Sequence, residues 1–395
     1  MKFSKLSQLF LVSSIGLLVA TLLTACQLVT VDYMFVASGS GIDTYAVDSE
    51  TGALRTGASP ITSGVSAPVA MAVTSDYLHL YLANQGNNTV VHYTIASNGV
   101  LTVKDSVTLA AKPVSLAVNA AGTFLYVVYG STSATLTAYP LSSGTIGTAA
   151  NTEVLAIPGF ATDTVLPTGV AVLANSAAVF VSAYDQSAYN PGGVTNSTAS
   201  PGWVFGYSVG SGGALTPAVG SPFKAGIKPS AIVAEPANRF VYVTDFASDQ
   251  MIAYGINNGS TLSYLLNGPF KTGNEPIAIA VDPRGLFIYV ANELDSSVTA
   301  YSIDLKTGTP SQSVNATGAS FNATDAEPVA IAIDPALGRF VYTANHLGNS
   351  VSGFRLDPTS GALTSTQATP YPTGQTPTAL VVVPHGNHSL QTVSY

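Results

Sequence analysis

The sequence predicts an all-β fold: a seven-bladed β-propeller of four-stranded antiparallel blades, the first blade closed by the C-terminal strand. Three observations carry this. First, a phrase returns along the chain. It runs proline, short apolar strand, turn, aromatic-rich strand, second aromatic strand. It is clearest in Pro229-SAIVAEPANRFVYVTDFASDQMIAY, Pro276-IAIAVDPRGLFIYVANELDSSVTAY and Pro328-VAIAIDPALGRFVYTANHLGNSVSGF. A fixed repeat of this length means an array of small sheets. Second, the first unit opens at VDYMFVASGSGIDTYAV without an inner strand, while the chain ends on an orphan strand, Thr378-Ala379-Leu380-Val381-Val382-Val383. Pairing the two closes a ring and removes the open edge. Third, no segment carries the period of an amphipathic helix.

Residues 1–26 read as a lipoprotein export signal. Lys2 and Lys5 precede an apolar run from Leu9 to Leu23, and Leu23-Thr24-Ala25-Cys26 resembles the bacterial lipobox. That resemblance implies cleavage after residue 25 and diacylation of Cys26, with residues 26–30 as a lipidated linker. More than one acyl chain gives stable anchoring to a membrane. Gln27 after the cysteine points to the outer membrane of the cell envelope. A plain cleaved signal and an uncleaved anchor are the alternatives, although the apolar run is marginal for spanning.

Residues 31–384 form the propeller. Its units start at Pro68, Pro113, Pro167, Pro229, Pro276, Pro328 and Pro377, and subtraction gives spacings of 45, 54, 62, 47, 52 and 49 residues. A four-stranded blade takes about 40–50 residues, so the longer units hold loop insertions. Proline is tolerated at a strand start because no ladder donor is lost there. The third strands carry Tyr45, Tyr93, Tyr139, Tyr207, Tyr254, Tyr301 and Phe354. Glycine turns such as Thr51-Gly52-Ala53-Leu54 and Ser360-Gly361-Ala362-Leu363 lead to the fourth. Inner strands such as IAIAV lack alternation, which suits burial on both faces. An open solenoid or a pair of sandwiches fits the irregular unit lengths and the circular closure poorly. The largest insertion, from Tyr184 to Trp203, is rich in Gly, Pro, Ser and Asn and reads as a surface loop. Residues 385–395 read as a frayed polar tail; His385 and His388 in it, three apart, would touch one metal if helical.

Composition excludes several functions. Charged residues are 9% of the chain and the formal charge is −8, so there is no basic surface for nucleic acid. Cys26 is the only cysteine, which removes disulfides, thiol catalysis and thiolate metal sites from the rest of the chain. There is no Gly-x-Ser-x-Gly elbow, His-Glu-x-x-His helix, phosphate loop or EF-hand spacing. Neither a cofactor nor a metal is expected.

The repeats and the closing strand make residues 31–384 resemble the YVTN-repeat propellers, and more narrowly the lactonase-like propellers that include bacterial 6-phosphogluconolactonase. The sharpest match is Tyr289-Val290-Ala291-Asn292-Glu293-Leu294-Asp295-Ser296-Ser297-Val298. The resemblance implies a Pro-Arg-His stretch where this chain has Pro276-Ile277-Ala278, a further histidine around Pro229-Ser230, and an arginine that falls on His346. Glu293 is the polar member retained. Lactone hydrolysis needs a base for water and donors for the oxyanion. Glu293 is the candidate base and His346 the candidate basic partner, the two expected to face one another across the channel mouth. Glu293 could equally hold loop backbone.

The loops before the first strand and between the second and third share one face of a propeller. That face collects the ligand-binding candidates Asn292, Asp295 and Asn345, and the basic residues Lys112, Lys224, Lys228 and Lys271. Trp203 is a further candidate, since an exposed aromatic can stack on a sugar; the alternative is that it packs at the start of its strand. Two functions are therefore expected, a lipid-anchored binding module and a divergent lactonase. The ligand would be a small molecule, a glycan or an envelope protein, bound by a monomer.

Overall fold

A computed structural model of the chain describes residues 29–131, 133–159, 163–189, 201–315 and 317–391. Cys26 and most of the long insertion lie outside these residues. The described chain forms seven antiparallel sheets. In the fifth, Pro229–Ala234 is innermost, Phe240–Asp245 and Gln250–Asn257 follow outward, and Thr261–Tyr264 and Phe270–Lys271 share the outer edge. Five of the sheets split their outer strand in this way. The split absorbs the extra residues of the longer units.

The ring closes as the two ends of the chain require. Ala379–Pro384 pairs with Thr30–Ser38 in register from Ala37 opposite Ala379 to Asp32 opposite Pro384. It also touches the inner strands on either side, Pro328–Ile333 and Pro68–Val73. Six of the seven unit prolines, all but Pro377, are followed by a bulge, as between Pro276 and Ala278 or Pro328 and Ala330. A bulge bends its strand, here at the point where the chain turns down into the channel.

The core is not central. Apolar side chains collect between adjacent blades: Met34, Val36, Phe340 and Tyr342 between the seventh and first, and Tyr289, Val298, Val341 and Phe354 between the sixth and seventh. The inner strands touch these clusters on both faces, as expected, but are less deeply buried than the second strands. Past its proline, Pro276–Val281 is only half-buried, while the second strand Phe287–Asn292 is buried throughout. The inner strand borders the channel along one edge, and its side chains still meet both neighbouring blades, Ile279 and Val281 on one side and Ala280 on the other, so apolar residues need not alternate with polar ones.

Tyrosines lock neighbouring blades. Tyr342 Oη donates to Gly52 O at 2.7 Å, Tyr289 to Gly361 O at 2.8 Å and Tyr242 to Gly308 O at 2.8 Å. Each acceptor sits in the outer hairpin of the next blade. Gly52 has φ +69°, and a Cβ there would lie 2.4 Å from the Phe340 ring. Only glycine satisfies both the left-handed turn and this approach.

The tail departs from expectation. Gly386–Leu390 forms a short 3-10 turn under the ring, and His388 is 5% exposed. Its imidazole meets Asp334 and Asp32, so these residues do not fray. His385 packs edge-on against Tyr33. Among the described residues no helix is long and apolar enough to cross a membrane.

Candidate functional site

Two repeated positions build the rim of the channel. One precedes the inner strand: Ala67, Lys112, Lys228, Glu275 and Glu327. The other follows the second strand: Gln85, Gly130, Phe246, Glu293 and His346. The backbone clamps them in pairs. Glu293 N donates to Glu275 O at 2.9 Å, His346 N to Glu327 O at 2.7 Å and Phe246 N to Lys228 O at 2.9 Å. Glu275 and Glu327 adopt positive φ, +54° and +56°, a conformation costly for a side-chain residue and held by its surroundings.

In several blades the residue closing the second strand fastens the neighbouring loop from below, as Asn84, Asp245 and Asn292 do. Asn292 is fully buried. It accepts from Gly273 N at 3.1 Å and donates to Ser297 Oγ at 3.1 Å and Thr299 Oγ1 at 2.8 Å. Asn345, also fully buried, donates to Ser350 and Ser352, each at 3.0 Å. In the fifth blade Asp245 accepts from Ile227 N at 2.9 Å and Lys228 N at 2.8 Å. Asn292 therefore holds the loop that leads to the rim, Asn345 holds the start of the third strand, and neither presents surface to a ligand. Asp295 is exposed, but its carboxylate caps Asn274 N at 2.7 Å and Asn274 Nδ2 at 2.9 Å. Trp203 lies on Gly202–Val209, half-buried, with Lys224 Nζ 3.5 Å from its ring centroid. That is the packing alternative, at the outer strands and away from the channel mouth.

Inside the rim lies a cavity of about 660 Å³. Its charged lining comes from Lys112, Lys228 and Glu293, and Gln85 and Gln186 add amides. The positions where the resemblance implied histidine and arginine, Ser230 and Ile277, also line it. Lys228 was visible in the sequence as one basic residue of the face. Its placement in one cavity with Glu293 was not, because the two are far apart in sequence. Lys224 and Lys271 fall instead on outer strands. Lys228 Nζ lies 4.3 Å from the Phe246 ring centroid and 5.5 Å from that of Tyr189.

Glu293 is half-buried and electrostatically crowded. Burial, then Glu327 and then Glu275, push its carboxyl above the usual carboxylate range, while His346 and Lys228 pull it down. His346 is thus a neighbour of Glu293 on the adjacent blade rather than a partner across the mouth. Its Nδ1 lies 3.1 Å from Pro377 O, and it is not part of the cavity lining. A carboxylate with a raised pKa beside an ammonium can take a proton from water and return it.

A sequence model of the family described as "Lactonase, 7-bladed beta-propeller" matches residues 27–164 and 224–390. No curated sequence matches the chain significantly. Among solved structures, a Pseudomonas aeruginosa periplasmic gluconolactonase aligns with TM-score 0.70 at 19% identity, covering 90% of this chain and 99% of that one. A Bacteroides fragilis protein provisionally described as a 6-phosphogluconolactonase aligns with TM-score 0.70 at 19% identity, covering 90% and 98%. A Lactobacillus plantarum protein aligns with TM-score 0.69 at 16% identity, covering 90% and 100%. Identities this low speak for the fold.

Proposed function

Since the chain belongs to the seven-bladed β-propeller lactonase family, we propose that it hydrolyses a sugar lactone in the mouth of the central channel. The observation that carries this reading is one cavity lined by both Glu293, a carboxyl of raised pKa, and Lys228. Glu293 takes a proton from water as the hydroxide adds to the lactone carbonyl. The carbonyl π electrons move to oxygen, and the Lys228 ammonium faces that charge. The ring C–O bond then breaks, and the leaving alkoxide recovers the proton from Glu293, giving the open hydroxy acid. Exposed Lys112, at the same cavity, suits an anionic substituent on the sugar.

The test is lactone loss with glucono-δ-lactone and its 6-phosphate, measured above spontaneous hydrolysis. Glu293→Gln should lower kcat/KM by about 10²–10⁴, the usual worth of a general base. Absence of turnover, or turnover indifferent to this change, would sink the hydrolase. A second reading is a binding module without catalysis. It is favoured by Ile277 and Ser230 standing in the cavity where the family resemblance implied arginine and histidine. Saturable binding of either lactone without turnover would select it.

The reading includes export to the cell envelope. The lipobox-like Leu23-Thr24-Ala25-Cys26 supports a lipid anchor, and one structural neighbour is a periplasmic gluconolactonase. Protein taken from host membranes should carry acyl mass on Cys26, and an unmodified cysteine there would contradict the anchor.

A further inference from the structure

Away from the channel mouth, the first and last parts of the propeller meet. Asp32 stands near the start of the second strand of the first blade, opposite Pro384. Asp334 sits just after the inner strand of the seventh blade, Pro328–Ile333. His388 comes from the closing 3-10 turn. Each offers a ligand atom, and these atoms lie within 4.8 Å of one another. His388 Nε2 is 3.2 Å from Asp334 Oδ1 and 3.3 Å from Asp32 Oδ1. We propose that Asp32, Asp334 and His388 bind a divalent transition-metal cation that clasps the ring beside the seam where Ala379–Pro384 closes the first blade.

Four observations support this. First, Asp32 is 0% exposed, yet neither of its carboxylate oxygens has a hydrogen-bond partner among the described residues. The approach of His388 is an ion-pair contact without hydrogen-bond alignment. A buried carboxylate in this state is costly unless something positive reaches it. Burial, and then the Asp334 charge, push its pKa to about 8.

Second, the imidazole is aimed. His388 Nδ1 meets Gln391 Oε1, and an amide oxygen only accepts, so Nδ1 carries the hydrogen. Nε2 then points at two carboxylates and must hold either a second proton or a cation. An outer acceptor that fixes the tautomer is the usual support of a metal-bound histidine.

Third, the spacing fits. Bonds of about 2.1 Å to a shared ion put neighbouring ligand atoms about 3.0–3.4 Å apart. Two carboxylates and an imidazole suit zinc or manganese, whereas calcium asks for more oxygens.

Fourth, the corresponding acids of neighbouring blades are paired differently. Asp282 Oδ2 holds Arg284 Nε at 2.7 Å, and Glu235 Oε1 holds Arg239 Nη2 at 2.5 Å. In the seventh blade Arg339 sends Nη2 to Ser49 O at 3.0 Å. Its backbone N–H reaches Asp334 Oδ2 at 3.2 Å, but no Arg339 side-chain bond to either acid is present.

The test uses tag-free protein stripped with EDTA, then given zinc or manganese chloride and passed through a desalting column. Bound metal and the thermal midpoint are read together. Wild type should retain about one ion per chain and melt higher, because a ligand of the native state raises apparent stability. His388→Gln and Asp32→Asn should each weaken binding at least tenfold and lose the shift, with far-UV circular dichroism reporting that they still fold. His385→Ala, next door, should behave as wild type. Wild type that retains no metal would overturn the proposal, even if His388→Gln melted lower, since the group would then be a protonated clip. Equal binding by wild type and His388→Gln would overturn it as well.

Discussion

Glu293 shows how a single side chain can be tuned by the rim around it. Its pKa is raised by burial, Glu327 and Glu275 and lowered by His346 and Lys228. The acid limb of the rate should therefore lie above the ordinary carboxylate value of about 4.3. Glu327→Gln removes a like charge and should move that limb to lower pH. Lys228→Met removes a favourable charge and should move it higher, while also lowering kcat. A pH–rate profile checks both, and a limb that stays still in both variants would show that Glu293 is not the titrating base. The stability effect has the opposite sense. A carboxyl whose folded pKa is raised contributes stability below its unfolded pKa and loses it as pH rises through the folded value. Glu293→Gln should thus be at least as stable as wild type near neutral pH.

At the scale of elements, the blades are held together by repeated contacts whose worth can be compared. Tyr342 donates across the blade boundary to Gly52. Its counterpart Tyr126 is equally buried, but its hydroxyl has no partner among the described residues. Tyr342→Phe should cost about 0.5–1.5 kcal/mol, the net worth of one hydrogen bond. Tyr126→Phe should be neutral or stabilising, because it removes an unsatisfied buried group. Chemical denaturation of the two variants side by side tests this; equal losses would mean that the cross-blade bond contributes nothing. Phe180 and Phe35 fill the matching place in the fourth and first blades, so the ring itself is the main requirement. The strand-ending Asn292 and Asn345 belong to the same level. They are polar residues beside loops, which in sequence looks like binding and in space is support for a loop or the next strand.

For the whole molecule the decisive feature is closure. Ala379–Pro384 supplies the inner strand of a blade whose other strands begin at Thr30. Ending the chain at Thr378 should leave Thr30–Ser38 as an open edge and remove the apolar contacts of Leu380 and Val382 with the seventh blade. That truncation should aggregate or lose its cooperative melt. A soluble, cooperatively melting product would show that closure is dispensable. Much of this scale was legible in the sequence: seven units, the missing first inner strand and the orphan last one are all written in the repeat. The tail was not legible. His388 reads as one polar residue near a terminus, and its burial between Asp32 and Asp334 depends on residues some 300 positions apart being adjacent.

The sequence alone determined the kind of sheet, the number of blades, the turns that need glycine and the pairing of head with tail. These follow from local chemistry repeated along the chain: proline at strand starts, aromatic and β-branched residues in strands, glycine where φ is positive. Only the tertiary structure decided which polar residues face open space. It moved Asn292, Asn345 and Trp203 into structural contacts, brought Lys228 to the cavity of Glu293, set His346 beside rather than opposite it, and buried His388. Burial and proximity arise from packing seven separate units around one axis, and no short stretch of chain encodes that arrangement.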